Sequence, residues 1–277
     1  MLSKFSKDWV QKMTTKLGQH FLKREDLLRK IASYLKISND DVVLEIGAAY
    51  GNLTKYLTKA KKVYAVELDK KLFPRLVENM KQYSNVECIN KDVLELEFPS
   101  KVNKIIGNLP YEISSPVTEK ILKFLNKQKR SDVDEVIAVL MYQKEFAERM
   151  TAFPGLKDYS RLSILSNYYA DVELLKTIGK SEFRPAPKVD SELVKVVPKG
   201  VEENPELFKT AKLLFTHKNK KTVNAIIDSR HLLKIKDKNK LREIVRPALK
   251  EFDKKVFYLE IEELEEIKDI LKEKKII

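Results

Sequence analysis

The stretch Val42-Val43-Leu44-Glu45-Ile46-Gly47-Ala48-Ala49-Tyr50-Gly51-Asn52-Leu53-Thr54 decides the fold. A short run rich in β-branched residues ends at a glycine, the pattern of a buried strand entering a tight turn. After Gly51, the residues Leu53 to Leu57 predict the start of a helix whose N-terminus points at the strand end. Glycine at that end lets the backbone turn sharply and approach a ligand. The loop lacks the three glycines of G-x-G-x-x-G, which counts against a pyrophosphate lying over it.

Outward from this stretch, Val63 to Val66, Val86 to Ile89, Val102 to Ile106 and Val136 to Tyr142 read as further short strands. Helical segments separate them, one around Val117 to Leu125. Strands alternating with helices imply an α/β fold with a doubly wound, mostly parallel sheet. Tyr168 to Leu175 and Leu193 to Val197 suit an antiparallel hairpin closing that sheet. Pro198 and Gly200 then break the pattern. Beyond them Leu207, Ala211, Leu214 and Phe215 have helical spacing, and Leu259 to Ile277 forms an amphipathic helix with Leu264, Ile267 and Leu271 on one face. The expectation is a sheet-containing domain over residues 1–198 and a small all-helical domain over residues 199–277.

Charge is distributed unevenly. Residues 209–250 hold 13 Lys/Arg against 3 Asp/Glu, and residues 1–30 hold 8 against 3, whereas residues 31–208 hold 27 against 26. Two basic regions flanking a neutral middle suggest a polyanion partner, and a Lys/Glu-rich surface adapted to heat is the alternative that charge alone leaves open. Lys218, Lys220 and Lys221 are candidate phosphate contacts. The single cysteine, Cys88, excludes an intramolecular disulfide framework and a multi-Cys zinc site, and it reads as a small hydrophobe in a buried strand. His217 and His231 have no ligand-spaced partners, so no metal is expected. No apolar run approaches the roughly 18 residues of a membrane span, and Met1 to Trp9 does not resemble a signal peptide. A cytoplasmic protein without membrane attachment is expected.

Acids recur at the strand ends. Glu67 closes the second strand, where a carboxylate can accept from both hydroxyls of a ribose. Asp92 follows the third strand, placed to accept from an adenine amino group. Either acid alone could be a solvated surface group. With the Gly47 loop they describe an adenosine-shaped site on the carboxyl edge of the sheet.

The fourth strand runs into Gly107-Asn108-Leu109-Pro110-Tyr111. The exocyclic amine of adenine is a poor nucleophile because its lone pair is delocalised into the ring. Acceptors on both N–H bonds, here the Asn108 side-chain oxygen and the Leu109 carbonyl, would favour a pyramidal nitrogen and stabilise its developing positive charge. Pro110 sets the turn and Tyr111 can stack on the base. A proline turn with an asparagine cap is the plainer reading of these residues.

At this point the chain resembles the KsgA-type small-subunit ribosomal RNA adenine dimethyltransferases. The resemblance starts at Lys16-Leu17-Gly18-Gln19-His20-Phe21-Leu22 and runs through the Gly47 loop, Val66-Glu67-Leu68-Asp69, Asp92 and Asn108 to Tyr111. It continues through Tyr159-Ser160-Arg161-Leu162-Ser163 and Phe183-Arg184-Pro185-Ala186-Pro187-Lys188-Val189-Asp190-Ser191 to Phe215-Thr216-His217-Lys218-Asn219-Lys220-Lys221-Thr222. It implies a class I, Rossmann-like fold with a seven-stranded sheet. The methyl donor it implies is S-adenosylmethionine, held at His20, Leu22, Gly47, Glu67, Asp92 and Asn108. It also implies that Phe183 sandwiches a flipped base against Tyr111, with core packing as the alternative for that ring. Two positions depart from the family pattern: His20 stands where many members have Asn, and Ala48-Ala49 replaces Pro-Gly. The implied reaction is dimethylation of two adjacent adenosines near the 3′ end of small-subunit rRNA, by a monomer acting on an assembling subunit. A large-subunit rRNA or DNA adenine methyltransferase, or an assembly factor whose binding matters more than its catalysis, are the alternatives.

Overall fold

Val43 and Leu44 are both fully buried yet belong to different cores, because successive side chains of a strand point to opposite faces of its sheet. Their sheet is seen in a computed structural model, which describes residues 19–131, 133 and 135–277. Lys16 to Gly18 of the first motif and Met1 to Trp9 lie outside the described residues.

The chain begins with a short strand β1 (Phe21–Leu22), helix α1 (Glu25–Ser33), strands β2 (Val42–Ile46) and β3 (Lys62–Val66), and helix α2 (Phe73–Met80). Strands β4 (Val86–Ile89) and β5 (Lys104–Asn108), helix α3 (Ser114–Arg130), strand β6 (Ile137–Gln143) and helices α4 (Lys144–Thr151) and α5 (Arg161–Tyr169) follow. Strands β7 (Ala170–Ile178), β8 (Phe183–Arg184) and β9 (Ser191–Pro198) complete the sheets. Helices α6 (Pro205–Phe215), α7 (Thr222–Asp228), α8 (Lys238–Ala248) and α9 (Ile261–Glu273) come last.

Seven strands form one sheet in the order β4-β3-β2-β5-β6-β9-β7. The pairs from β4 to β6 are parallel, and β9 runs antiparallel to both β6 and β7. The chain winds outward from β2 to β4 and then crosses back to lay β5 beside β2. The order therefore reverses between β2 and β5, where an open α/β sheet leaves a crevice at the carboxyl ends of its strands. Leu27, Leu28 and Ile31 of α1 cover one face of the sheet, and Val117, Ile121 and Leu125 of α3 cover the other. The chain after β9 is helical and builds its own core around Leu207, Leu214, Ile226, Val245, Leu264 and Ile267. That core also takes in Tyr159 and Ile164, and the Tyr159 hydroxyl donates to the Leu259 carbonyl at 3.0 Å.

Several expectations need correction. The helix expected from Leu53 to Leu57 is one 3-10 turn over Thr54–Tyr56, because the chain turns at Gly51, with φ +82°, and must return to start β3 at Lys62. Among the described residues, no α-helix therefore follows the Gly47 loop with its N-terminus aimed at the strand end. The strand expected from Tyr168 starts at Ala170, since α5, opened by a reciprocal cap between Ser160 and Ser163, runs on to Tyr169 before the backbone becomes extended at Ala170. The fourth strand sits later than Val102 to Ile106, so Asn108 is its last residue. Cys88 is half-buried on the edge strand β4, not fully enclosed, and burial still pushes its thiol up. Lys218 is no free cation: its Nζ donates to the carbonyls of Lys157 at 2.7 Å and Tyr159 at 3.1 Å. Lys220 pairs with Asp228, and Lys221 with Asp253 at 3.1 Å.

Among the described residues, no helix is long and apolar enough to cross a membrane.

Candidate active site

The ends of β2, β3 and β5 open into one cleft. Gly47 leaves β2 with φ +77°, its amide and that of Ala48 donating to the Val66 carbonyl at 2.9 and 3.0 Å. A Cβ at Gly47 would stand 3.3 Å from the Asn108 backbone oxygen. At Gly107 a Cβ would meet the Ile46 carbonyl at 2.9 Å, so β2 and β5 pack at a distance only glycine permits. Ala49, where the family pattern has glycine, takes the left-handed conformation with φ +52°.

Glu67 holds that loop. One carboxylate oxygen accepts the Ala49 amide at 2.8 Å and the other accepts the Asp69 amide at 2.7 Å. Burial pushes this carboxyl up, and the two amides pull it partly back. Asn90, after β4, donates its side-chain amide to the Glu67 carbonyl at 2.8 Å and ties the end of β4 to that of β3. Asp92 lies beside them, half-buried, capping its own turn by accepting the Leu94 amide at 2.8 Å.

The Asn108 side chain is oriented by a distant segment. Its Nδ2 donates to the His20 carbonyl at 2.7 Å, which commits the nitrogen and leaves Oδ1 as the free end of the amide. His20 in turn directs Nδ1 to the Pro185 carbonyl at 2.8 Å, and its ring centroid lies 5.7 Å from that of Tyr111. The Tyr111 hydroxyl and Ser191 Oγ are 3.0 Å apart. The His20 contacts exist because β1 pairs antiparallel with β8, Phe21 opposite Arg184 and Leu22 opposite Phe183, while Ser191 is placed by the pairing of β9 with β6. Two motifs 165 residues apart in the sequence thereby meet over the β5 end.

His20, Leu22, Gly47, Glu67, Asp92, Asn108, Leu109, Pro110 and Tyr111 all line the cleft. Phe183 does not. It is 1% exposed and packs in the core with Leu22, Ile178 and Leu193.

Sequence reasoning passed over Glu45, a cleft-lining acid that is 2% exposed and has an Oε2 atom without a hydrogen-bond partner among the described residues. An acid inside an otherwise apolar strand was the available signal. Burial is the main cause that pushes its carboxyl up to about 8, the Thr54 hydroxyl opposing and the nearby Glu67 adding to it. The folded value lies above the ordinary 4.5, so the folded protein keeps a proton that the unfolded chain has already released. Stability from this group is complete below the ordinary value and is drawn down as pH rises towards about 8. Glu45→Gln should therefore be the more stable protein at pH 8, by on the order of 3 kcal/mol, with little difference at pH 4. Urea midpoints of both proteins at the two pH values measure this. A parallel pH dependence would show that Glu45 ionises normally.

Among solved structures, this sheet order with a cleft at the β2/β5 switch point is that of the class I methyltransferases. A dimethyladenosine transferase from Plasmodium falciparum superposes with a TM-score of 0.76 at 30% identity, over 92% of this chain and 98% of its own. The 23S rRNA methyltransferase ErmE does so with 0.63 at 25% identity, over 91% and 99%. The chain belongs to the ribosomal RNA adenine dimethylase family, which it matches over residues 10–264. A Pyrococcus abyssi protein named "Probable ribosomal RNA small subunit methyltransferase A" is 43% identical over 265 residues, 95% of this chain and 93% of that protein.

Among the described residues no group of His, Cys, Asp and Glu could hold a metal ion.

Proposed function

We propose that this methyltransferase transfers methyl groups from S-adenosylmethionine to N6 of two adjacent adenosines near the 3′ end of small-subunit rRNA, in the cytoplasm during subunit assembly. The observation that carries this reading is the Asn108–Tyr111 turn opening into the same cleft as Gly47 and Glu67. The cleft fits the donor: Glu67 and the Glu45 carboxyl, one oxygen of which has no partner among the described residues, offer buried hydrogen-bonding groups to a nucleoside, and Gly47 leaves room where a Cβ would crowd the Asn108 carbonyl. When bound, the donor supplies an electrophilic methyl group on a sulfonium.

The chain's residues do the rest. Glu67 accepts from the ribose while holding the Ala49 loop, and Asp92 accepts from the adenine amine of the donor. Leu22 and Gly47 wall the donor site, and His20 acts by orienting Asn108. The target amine meets the Asn108 oxygen and the Leu109 carbonyl, which stabilise charge as the nitrogen becomes tetrahedral. Tyr111, steadied by Ser191, stacks on the target base, and Phe183 supports this wall from within the core. No general base is required, since the amine loses its proton to water after attack, and catalysis rests on positioning and electrostatics. We assign residues 1–198 to this chemistry and residues 199–277 to gripping the ribosomal substrate.

The 43% identity to a small-subunit relative, against 25% to a 23S methyltransferase, favours the small-subunit site. Mass mapping of RNA treated with the protein and labelled donor tests it. Dimethylation of two neighbouring adenosines in small-subunit RNA is expected, and label confined to large-subunit RNA or DNA would refute it.

A further inference from the structure

Three of the most exposed large apolar side chains stand around one junction: Phe153 at 61%, Tyr258 at 49% and Leu156 at 41% exposed. The loop after α4 and the segment before α9 are joined there. Gly155 donates its amide to the Phe257 carbonyl at 2.7 Å, and the Tyr258 ring lies 3.4 Å from where a Gly155 Cβ would be. The junction is stiff, since Lys218 clamps the loop through the Lys157 and Tyr159 carbonyls while Phe257 and Val256 donate to the carbonyls of Lys218 and Lys220. Phe257 and Tyr258 pack against each other with ring centroids 4.2 Å apart and planes tilted by 32°.

The cations beside these rings differ from those of the neighbouring basic motif. Lys220 and Lys221 are engaged by acids of the fold, whereas Lys157 and Lys255 are exposed and have no acidic partner among the described residues. Lys255 reaches over the Phe257 ring, 5.9 Å from its centroid. Water-facing rings on a rigid base are costly to leave bare and match the flat faces of nucleobases, and unpaired ammonium groups beside them match phosphates. Duplex RNA, whose bases are already stacked on one another, offers no such faces.

We propose that Phe153 and Tyr258, flanked by Lys157 and Lys255, form a stacking platform for unpaired nucleotides of the RNA substrate, separate from the methyl-transfer cleft. The proposal rests on the RNA reading above and gives it a second point of contact. Stacking selects single-stranded segments of any sequence, which would seat the protein on RNA that has not yet been folded into a finished subunit.

The test uses an oligouridylate, which carries no N6 amine for the cleft, and a fully paired RNA duplex of equal length, both followed by fluorescence anisotropy over a range of salt. The double variant F153A/Y258A should bind oligouridylate roughly ten- to a hundredfold more weakly, with its salt slope unchanged and duplex affinity unaltered. F153L/Y258L, which keeps apolar bulk but no ring face, should fall with it, and F153W/Y258W should retain affinity. K157Q/K255Q should instead flatten the salt slope by about 0.7 for each phosphate that the lysines no longer neutralise. If F153A/Y258A binds oligouridylate like the unmodified protein, the platform is refuted and the patch falls to a protein partner. Methylation of small-subunit RNA by the unmodified protein is scored separately. Loss of that activity with the oligouridylate effect intact would overturn the methylation reading and leave the platform standing.

Discussion

Asn108→Ala is expected to slow single-turnover methyl transfer roughly 10²–10³-fold with the donor saturating, the scale of one lost hydrogen bond that matters mainly in the transition state. The side chain's nitrogen is already spent on the His20 carbonyl, so its oxygen is the atom whose removal the target amine would feel. RNA affinity should fall far less, because phosphate contacts dominate it. Donor affinity should weaken too, since the same bond ties the β1 segment over the cleft, and for that reason the rate must be read at saturation. A near-normal rate there would reduce Asn108 to a turn residue before Pro110.

Glu67→Ala should weaken donor binding about tenfold to a hundredfold, corresponding to roughly 1.5–3 kcal/mol, and leave RNA binding nearly intact. Two losses combine in this variant. The donor's ribose loses a charged acceptor, and the amides of Ala49 and Asp69 lose the carboxylate that holds both. Ala49 is kept in a left-handed conformation that costs an alanine about 1 kcal/mol, so the loop has reason to relax once that bond is gone. Glu67→Gln separates the two effects: it keeps the shape but sets an NH2 group against one of the backbone N–H groups. Calorimetric titration with the donor reads all three proteins, and an unchanged affinity in the alanine variant would remove Glu67 from the site.

Residues whose placement is set by their immediate neighbours were legible from the sequence. The strand of Val42 to Ile46, the glycine at its end, the acids Glu67 and Asp92 and the Asn108–Tyr111 turn are local patterns, set by side-chain alternation and turn chemistry over a few residues. The helical tail was legible for the same reason, through the spacing of Leu264, Ile267 and Leu271. The length of a connection was not. The turn at Thr54–Tyr56 depends on where β3 must begin, which is a distance in space.

What tertiary structure alone decided is who meets whom. Pairing of β1 with β8 carries His20 to Asn108 and Tyr111, and packing against Ile178 and Leu193 encloses Phe183 in the core. Lys218, indistinguishable in the sequence from Lys220 and Lys221, becomes a clamp on two carbonyls because α6 ends beside the loop after α4. Phe153 and Tyr258, far apart in the sequence, share one exposed junction that no local pattern announces. Glu45 shows the same division in its charge: its place in the strand follows from the sequence, while its ionisation follows from the burial around it and from the proximity of Glu67. Local propensity is written in neighbouring residues, but register, solvent exclusion and the field at a carboxylate are properties of chain segments brought together from afar.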